Sequence, residues 1–134
     1  MAHLKQKRLS TGGKMDRQMT VIECETQLIS WAEEFELDTS NLFFDGFIDL
    51  GKSVRGRTSY IWNRDKNRID IFIALNKRLY CEWRIKAVLW HEFCHFWVFS
   101  SNHYQGHKGE FDKCLRRKKV LWLLGSISRL IPLI

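Results

Sequence analysis

The chain has 134 residues, of which 45% are hydrophobic, and a formal net charge of +7 at neutral pH. This length suits a single domain, and the apolar content excludes an intrinsically disordered chain. The excess of Lys and Arg favours a polyanionic neighbour, either a nucleic acid or an anionic membrane surface. The four cysteines form no CxxC pair, which excludes a four-cysteine zinc ribbon. Because the first twenty residues lack an apolar signal segment, we expect reduced thiols in an intracellular, cytoplasmic protein.

Basic residues concentrate near both ends of the sequence. Residues 1–15 predict a flexible basic arm with the breaker "STGGK", and residues 16–134 predict a single domain. A second basic run is Arg116–Lys119. The arm and this run are the candidate contacts for DNA, although such charges also serve as plain solubilising groups.

The first part of the domain predicts one helix followed by strands. Apolar residues recur at helical spacing over residues 16–37, with Asp16 or Thr20 near the helix start. The β-forming, glycine-interrupted region that follows predicts short, irregular strands. Alternation in "RIDIFIAL" predicts a strand over Ile69–Leu75, and the polar turn Asn63–Asn67 before it indicates an antiparallel hairpin.

The rest of the chain predicts helices. Cys81–Phe99 contains no helix breaker and is apolar on most sides, which indicates a buried helix. "HKGEFDKCLRRKK" predicts a basic helix, and the apolar segment Val120–Ile134 follows it. That segment is shorter than the ~20 residues of a spanning helix, so we expect it to pack on the core and not on a membrane. The predicted fold class is α+β, with an N-terminal helix, a small three-stranded, mostly antiparallel sheet, the buried helix and C-terminal helices.

The buried helix carries the sequence "HEFCH", in which His91 and His95 lie four residues apart and Glu92 follows His91. Residues i and i+4 of an α-helix point to nearly the same side, so both imidazoles can reach one metal ion. Glu92 can then lie beside the metal and accept a proton from a water molecule. Chance places such an HExxH pattern in about one of a hundred chains with this His and Glu content. Burial of these polar residues also favours a bound metal over helix packing alone.

A catalytic zinc ion usually takes three protein ligands, so a third ligand must come from elsewhere in the chain. The candidates downstream are His107, Glu110 and His103. His107 lies twelve residues after His95, at the start of the next predicted helix, and a loop of this length can bring it back to the metal. Glu110 would complete a His-His-Glu site, and His103 lies within the loop.

The motif and its surroundings resemble the SprT-like zinc metallopeptidase domain. The resemblance rests on "HEFCHFW" and "GHKGEFDKCLRR" and extends over residues 69–117. It departs from the family pattern at Lys108, which stands in the place of a glycine.

This resemblance implies a compact zincin-like domain that hydrolyses peptide bonds in protein or peptide substrates, and in some relatives acts near DNA. It implies that Ile69–Leu75 pairs with the substrate as an added β-strand. It also implies a set of site residues: Zn²⁺ bound by His91, His95 and His107, with Glu92 as the general base.

Three other functions are left open by the sequence. One is a non-catalytic, metal-containing module that binds nucleic acid through its basic ends. Another is a small gluzincin-like peptidase with Glu110 as the third ligand, and a third is a membrane-associated protein attached through Val120–Ile134. Glu92 distinguishes the non-catalytic module from a peptidase, because a structural metal site gains little from a carboxylate next to its ligands.

Overall fold

The computed structural model describes residues 18–102 and 107–134. These residues form four helices and one three-stranded sheet, which confirms the predicted α+β class. The basic arm predicted for residues 1–15 lies outside the described residues. The elements in chain order are α1 (Val21–Glu34), β1 (Leu42–Ile48), β2 (Gly56–Asn63), β3 (Arg68–Asn76), α2 (Glu82–Asn102), α3 (Glu110–Arg116) and α4 (Lys119–Ser128).

Helix α1 begins at a capping box. The Thr20 hydroxyl accepts a hydrogen bond from the Glu23 N–H at 3.1 Å, and the Glu23 carboxylate accepts one from the Thr20 N–H at 2.9 Å. These bonds satisfy amide donors that a helix start leaves free, so the helix starts directly after Thr20, one of the two predicted positions. The helix packs on β1 and α2, and its buried residues are Cys24, Leu28, Trp31 and Ala32.

β3 is the central strand of the sheet, whose order is β1-β3-β2. β2 and β3 form the predicted antiparallel hairpin, in which Asn63 pairs with Arg68 next to the turn. β1 instead runs parallel to β3, so the prediction of a mostly antiparallel sheet is wrong for one of the two strand pairs. A strand with neighbours on both sides suits residues that are buried on both faces, here Ile71, Ile73, Ala74 and Leu75.

The chain crosses from β1 to the far side of β3 through residues 49–55. The buried Asn76 holds this connection, because its side-chain amide donates to the carbonyls of Gly51 and Val54, each at 2.7 Å. As a result both edges of β3 are occupied. The prediction that Ile69–Leu75 pairs with a substrate is therefore wrong.

Helix α2 forms the centre of the core. Trp90 and Phe93 are fully buried, and the ring of Trp31 packs against theirs at centroid distances of 5.1 and 5.6 Å. This packing confirms the buried helix predicted from Cys81 onward. Among the described residues, no helix has the length and hydropathy needed to cross a bilayer.

Helices α3 and α4 pack against α2. The end of α4 is held by Arg84, a buried residue of α2 whose guanidinium donates to Ser128 Oγ at 3.0 Å and to the carbonyls of Ser128 and Ile131 at 3.2 and 2.8 Å. Carbonyls at a helix C-terminus lack donors within the helix, and the arginine supplies them. The expected core packing of Val120–Ile134 holds on one side only: Ser128 and Leu133 are buried, but several apolar residues of α4 are exposed.

Candidate metal centre

Three histidines converge between α2 and the start of α3. His91 and His95 lie one turn apart on α2, and His107 lies just before α3. One ring nitrogen of each lies within 4.8 Å of the other two, and the Nε2 atoms of His95 and His107 are 2.9 Å apart. Nitrogens bound to one tetrahedral zinc ion at about 2.0–2.1 Å are roughly 3.4 Å apart. Small side-chain adjustments would therefore let the triad share a metal ion.

Phe111 of α3 packs against all three imidazoles. Its ring is stacked on His95 at a centroid distance of 4.3 Å and lies 5.0 Å from both His91 and His107. Phe111 itself is fully buried. This shared aromatic wall restricts rotation of the rings and keeps their nitrogens directed toward one another.

Burial keeps the two histidines of α2 neutral. Together with the neighbouring histidines, burial lowers the pKa of His91 to about 4 and the pKa of His95 to about 3, and burial makes the larger contribution. A metal ion binds the unprotonated imidazole, so both side chains can bind one at neutral pH without first releasing a proton.

Glu92 lies next to this triad with its carboxylate buried. The residue is 5% exposed, and its Oε1 accepts a hydrogen bond from the Thr58 hydroxyl at 2.6 Å. Burial raises the pKa of Glu92 to about 7, while the hydrogen bond from Thr58 acts in the opposite direction. A carboxyl group with this pKa can accept and return a proton near neutral pH.

Strand β2 approaches this carboxylate through a glycine. A Cβ atom on Gly56 would lie 2.9 Å from Glu92 Oε2 and 2.9 Å from Cγ1 of Val88, so a larger residue cannot pack here without a shift. Neither Gly56 nor Thr58 was predicted from the sequence as a residue of the site. An isolated glycine within a strand is a signal of close backbone approach, and it could have identified Gly56.

The other two candidates for the third ligand are Glu110 and His103. Glu110 is an exposed residue at the start of α3, with its Oε2 3.5 Å from Lys113 Nζ. Within the described part of the chain, the group that could hold a metal ion comprises the three histidines and not Glu110. His103 lies outside the described residues. The structure thus brings together the ligand set that the resemblance implied.

No protein-family model matches this chain, and comparisons with curated proteins and with solved structures find no match either. The resemblance to SprT-like domains therefore rests on the sequence motif alone. A function for the protein has to be inferred from the geometry of the site.

A cleft of about 510 Å³ opens beside the triad and Glu92. This volume lies within the ~300–1,000 Å³ typical of ligand-binding sites. Arg129 lies at the cleft and close enough to His91 to contribute to the lowering of its pKa. The apolar wall of the cleft comes from α2, α3 and α4: Val88, Trp90, Phe111, Leu115, Leu121 and Trp122.

The basic run Arg116–Lys119 is partly engaged within the chain. The Arg117 guanidinium lies 4.8 Å from the ring centroid of Trp97, and Lys118 Nζ lies 3.0 Å from a carboxylate oxygen of Glu34. These contacts attach the junction of α3 and α4 to α1 and α2. The run therefore has a structural role in addition to its positive charge.

Proposed function

We propose that the protein is a zinc-dependent peptidase of the SprT-like kind, with zinc held by His91, His95 and His107. The observation that carries this proposal is the position of Glu92, a buried carboxylate beside a histidine triad, with its pKa raised to about 7. A purely structural metal site has no use for such a group, whose burial costs free energy. Three imidazole ligands also leave the fourth position of zinc open, as catalytic zinc sites require.

Glu92 would act as the general base. Thr58 holds one of its carboxylate oxygens, and the close packing of Gly56 limits the movement of the other. Zinc, when bound, would acidify a water molecule and polarise the substrate carbonyl. Glu92 would accept the proton of that water and pass it to the departing amine.

The substrate would bind as an extended peptide along β2. In the described sheet, β2 pairs with β3 on one side only, and Thr58 and Gly56 lie next to Glu92. Pairing with a strand edge uses backbone hydrogen bonds, so it would accept peptides of varied sequence. The apolar wall of the cleft, which includes Leu121 and Trp122, would receive an apolar side chain of the substrate.

Metal content and peptide cleavage, measured on the same purified variants, test this proposal. We expect about one zinc ion per chain and cleavage of an unfolded protein by the wild type. His107→Ala should lose both, because it removes a ligand. Glu92→Gln should keep zinc and lower the cleavage rate by about 10²–10⁴-fold, the usual contribution of a general base. Glu110→Ala, the control in α3, should keep both zinc and activity.

Each contrary result has a definite meaning. Zinc lost in Glu110→Ala but kept in His107→Ala would favour the gluzincin-like site. Cleavage that survives Glu92→Gln would refute the role of Glu92 as base. A zinc-loaded wild type that cleaves no peptide, and binds a DNA duplex less tightly after Arg116→Glu and Lys119→Glu, would favour the nucleic-acid-binding module.

A further inference from the structure

Helix α4 presents one apolar face to the cleft and a second apolar face to solvent. Leu121, Trp122 and Gly125 line the cleft. Val120, Leu123 and Ile127 recur at the i, i+3, i+7 spacing of one helix face, with exposed fractions of 70%, 52% and 49%. Leu130, in the turn after the helix, is 82% exposed and extends the same face. Single exposed apolar residues are common on protein surfaces, but a contiguous row of them usually marks an interaction site.

This outward face is fixed by the packing beneath it. Arg84 donates hydrogen bonds to the hydroxyl and carbonyl of Ser128. Arg55 donates to the carbonyls of Arg129 and Ile131, each at 3.1 Å. The buried side of α4 is thus firmly attached to α2 and to the loop before β2, and rotation of the helix cannot hide the exposed face.

The segment of the chain that contains α4 carries only positive charges. From Lys113 onward the sequence contains six Lys and Arg residues and neither Asp nor Glu. Lys119 at the start of α4 is exposed next to Val120, and Arg129 after its last turn is exposed on the side of the cleft, so the helix carries a cation at each end. The Arg116 guanidinium also lies 4.9 Å from the ring centroid of Trp122, at the side of the same helix.

We propose that this face of α4, defined by Val120, Leu123, Ile127 and Leu130, docks on an anionic lipid bilayer. An apolar face would suit a protein partner and a basic surface would suit a nucleic acid, but both together suit the interface of an anionic membrane. The helix lies on the surface and does not span it, since α4 has ten residues. For this face the proposal departs from the sequence-based expectation of core packing over membrane contact.

Docking would bring the metal centre close to the membrane. The opposite side of α4 lines the cleft, so the cleft would lie about one helix diameter, ~10 Å, from the lipid surface. Peptide segments that emerge from the bilayer or lie on it would then be the accessible substrates. The docking itself does not depend on the proposed peptidase activity.

Flotation of the full chain with lipid vesicles tests the proposal without any activity assay. Wild type should float with phosphatidylcholine vesicles that contain about one-third phosphatidylglycerol, and added salt should weaken the binding. Leu123→Gln should reduce the partition coefficient about tenfold, because one inserted side chain is lost. Ile61→Gln is the matched control, since Ile61 on β2 is 53% exposed against 52% for Leu123. It should change binding by less than about twofold.

Thermal unfolding would show that both variants are folded. Failure of wild type to float with the anionic vesicles would overturn the proposal, as would equal binding to pure phosphatidylcholine or an equal loss in Ile61→Gln. A concentration-dependent dimer that Leu123→Gln abolishes, without vesicle binding, would assign the face to a second copy of the chain.

Discussion

Replacing Gly56 by alanine should reduce peptide cleavage while zinc stays bound. The added Cβ would lie 2.9 Å from Glu92 Oε2, 2.9 Å from Val88 Cγ1 and 3.0 Å from Glu92 Cγ. Carbon atoms in contact prefer about 3.5–4.0 Å, so either β2 must move outward or the Glu92 side chain must turn away. Both movements displace the carboxylate relative to the three histidines. The ligands themselves come from α2 and the start of α3, so zinc content should match the wild type.

The size of the effect on stability and activity depends on whether the β2 backbone or the Glu92 side chain moves. If the backbone of β2 moves, overpacking should lower the free energy of unfolding by about 1–3 kcal/mol. If Glu92 turns away, stability should change less and activity more. A misplacement of about 1 Å at a reacting group costs up to about 100-fold in rate, so we expect kcat/KM to fall by about 10–100-fold.

Gly125→Ala is the matched control for this prediction. Gly125 also borders the cleft, but its added Cβ would meet nothing within 4 Å. Alanine is favoured over glycine inside a helix by about 0.8–1.0 kcal/mol, so the control should be slightly more stable and nearly as active as the wild type. Zinc content, thermal unfolding and cleavage of a fluorescent peptide would be measured on both variants. Wild-type activity in Gly56→Ala would refute the idea that β2 holds Glu92 in place, and so would loss of zinc.

Three further substitutions address other contacts. Thr58→Val removes the 2.6 Å hydrogen bond to the buried Glu92 and should lower both Tm and kcat/KM. Thr58→Ser keeps the hydroxyl and should restore both values. If Thr58→Ser does not restore them, the proposed role of the hydroxyl is contradicted. In the presence of a chelator, which removes bound metal, burial and the neighbouring histidines lower the pKa of His95 from 6.5 to about 3 in the folded chain only. The unfolded state therefore takes up a proton first, and the free energy of unfolding should fall as pH drops below 6.5, less steeply in His95→Gln. Arg84→Met removes three hydrogen bonds to Ser128 and Ile131 and leaves the buried Ser128 hydroxyl without the donor that Arg84 supplies, so it should cost about 1–3 kcal/mol in denaturant unfolding, against less than about 0.5 kcal/mol for the exposed Arg64→Met.

The histidines of the candidate metal centre could be predicted from the sequence because they lie close together along the chain. His91 and His95 share one helix face, and His107 follows His95 by twelve residues. Helix periodicity and a short loop restrict where these side chains can lie. The hydrogen bond that positions Glu92 joins residues 34 apart in the sequence, and no periodic pattern relates Thr58 to α2. Predicting that contact requires the packing of β2 on α2.

Strand pairing and the exposure of helix faces could also be predicted from the sequence only where the contacting residues are close along the chain. The turn after Asn63 identifies the β2–β3 hairpin, because the two strands are adjacent in sequence. The parallel partner of β3 depends on how residues 49–55 cross the sheet, and alternation within β1 carries no information about that path. Likewise, the apolar composition of Val120–Ile134 favours burial, but composition cannot tell which face of α4 finds a partner.

In the sheet that the described residues form, the edge of β2 facing away from β3 is unpaired, and this has a consequence for the protein at high concentration. An unpaired strand edge accepts any extended chain, including the same strand of another molecule. Ile61 and Trp62 on β2 are 53% and 57% exposed, and the burial of these apolar side chains would favour such pairing. The exposed Arg57 opposes it through charge repulsion. A peptide bound along β2 and a second copy of the chain would compete for the same hydrogen bonds, so self-association through this edge would inhibit the proposed peptidase activity.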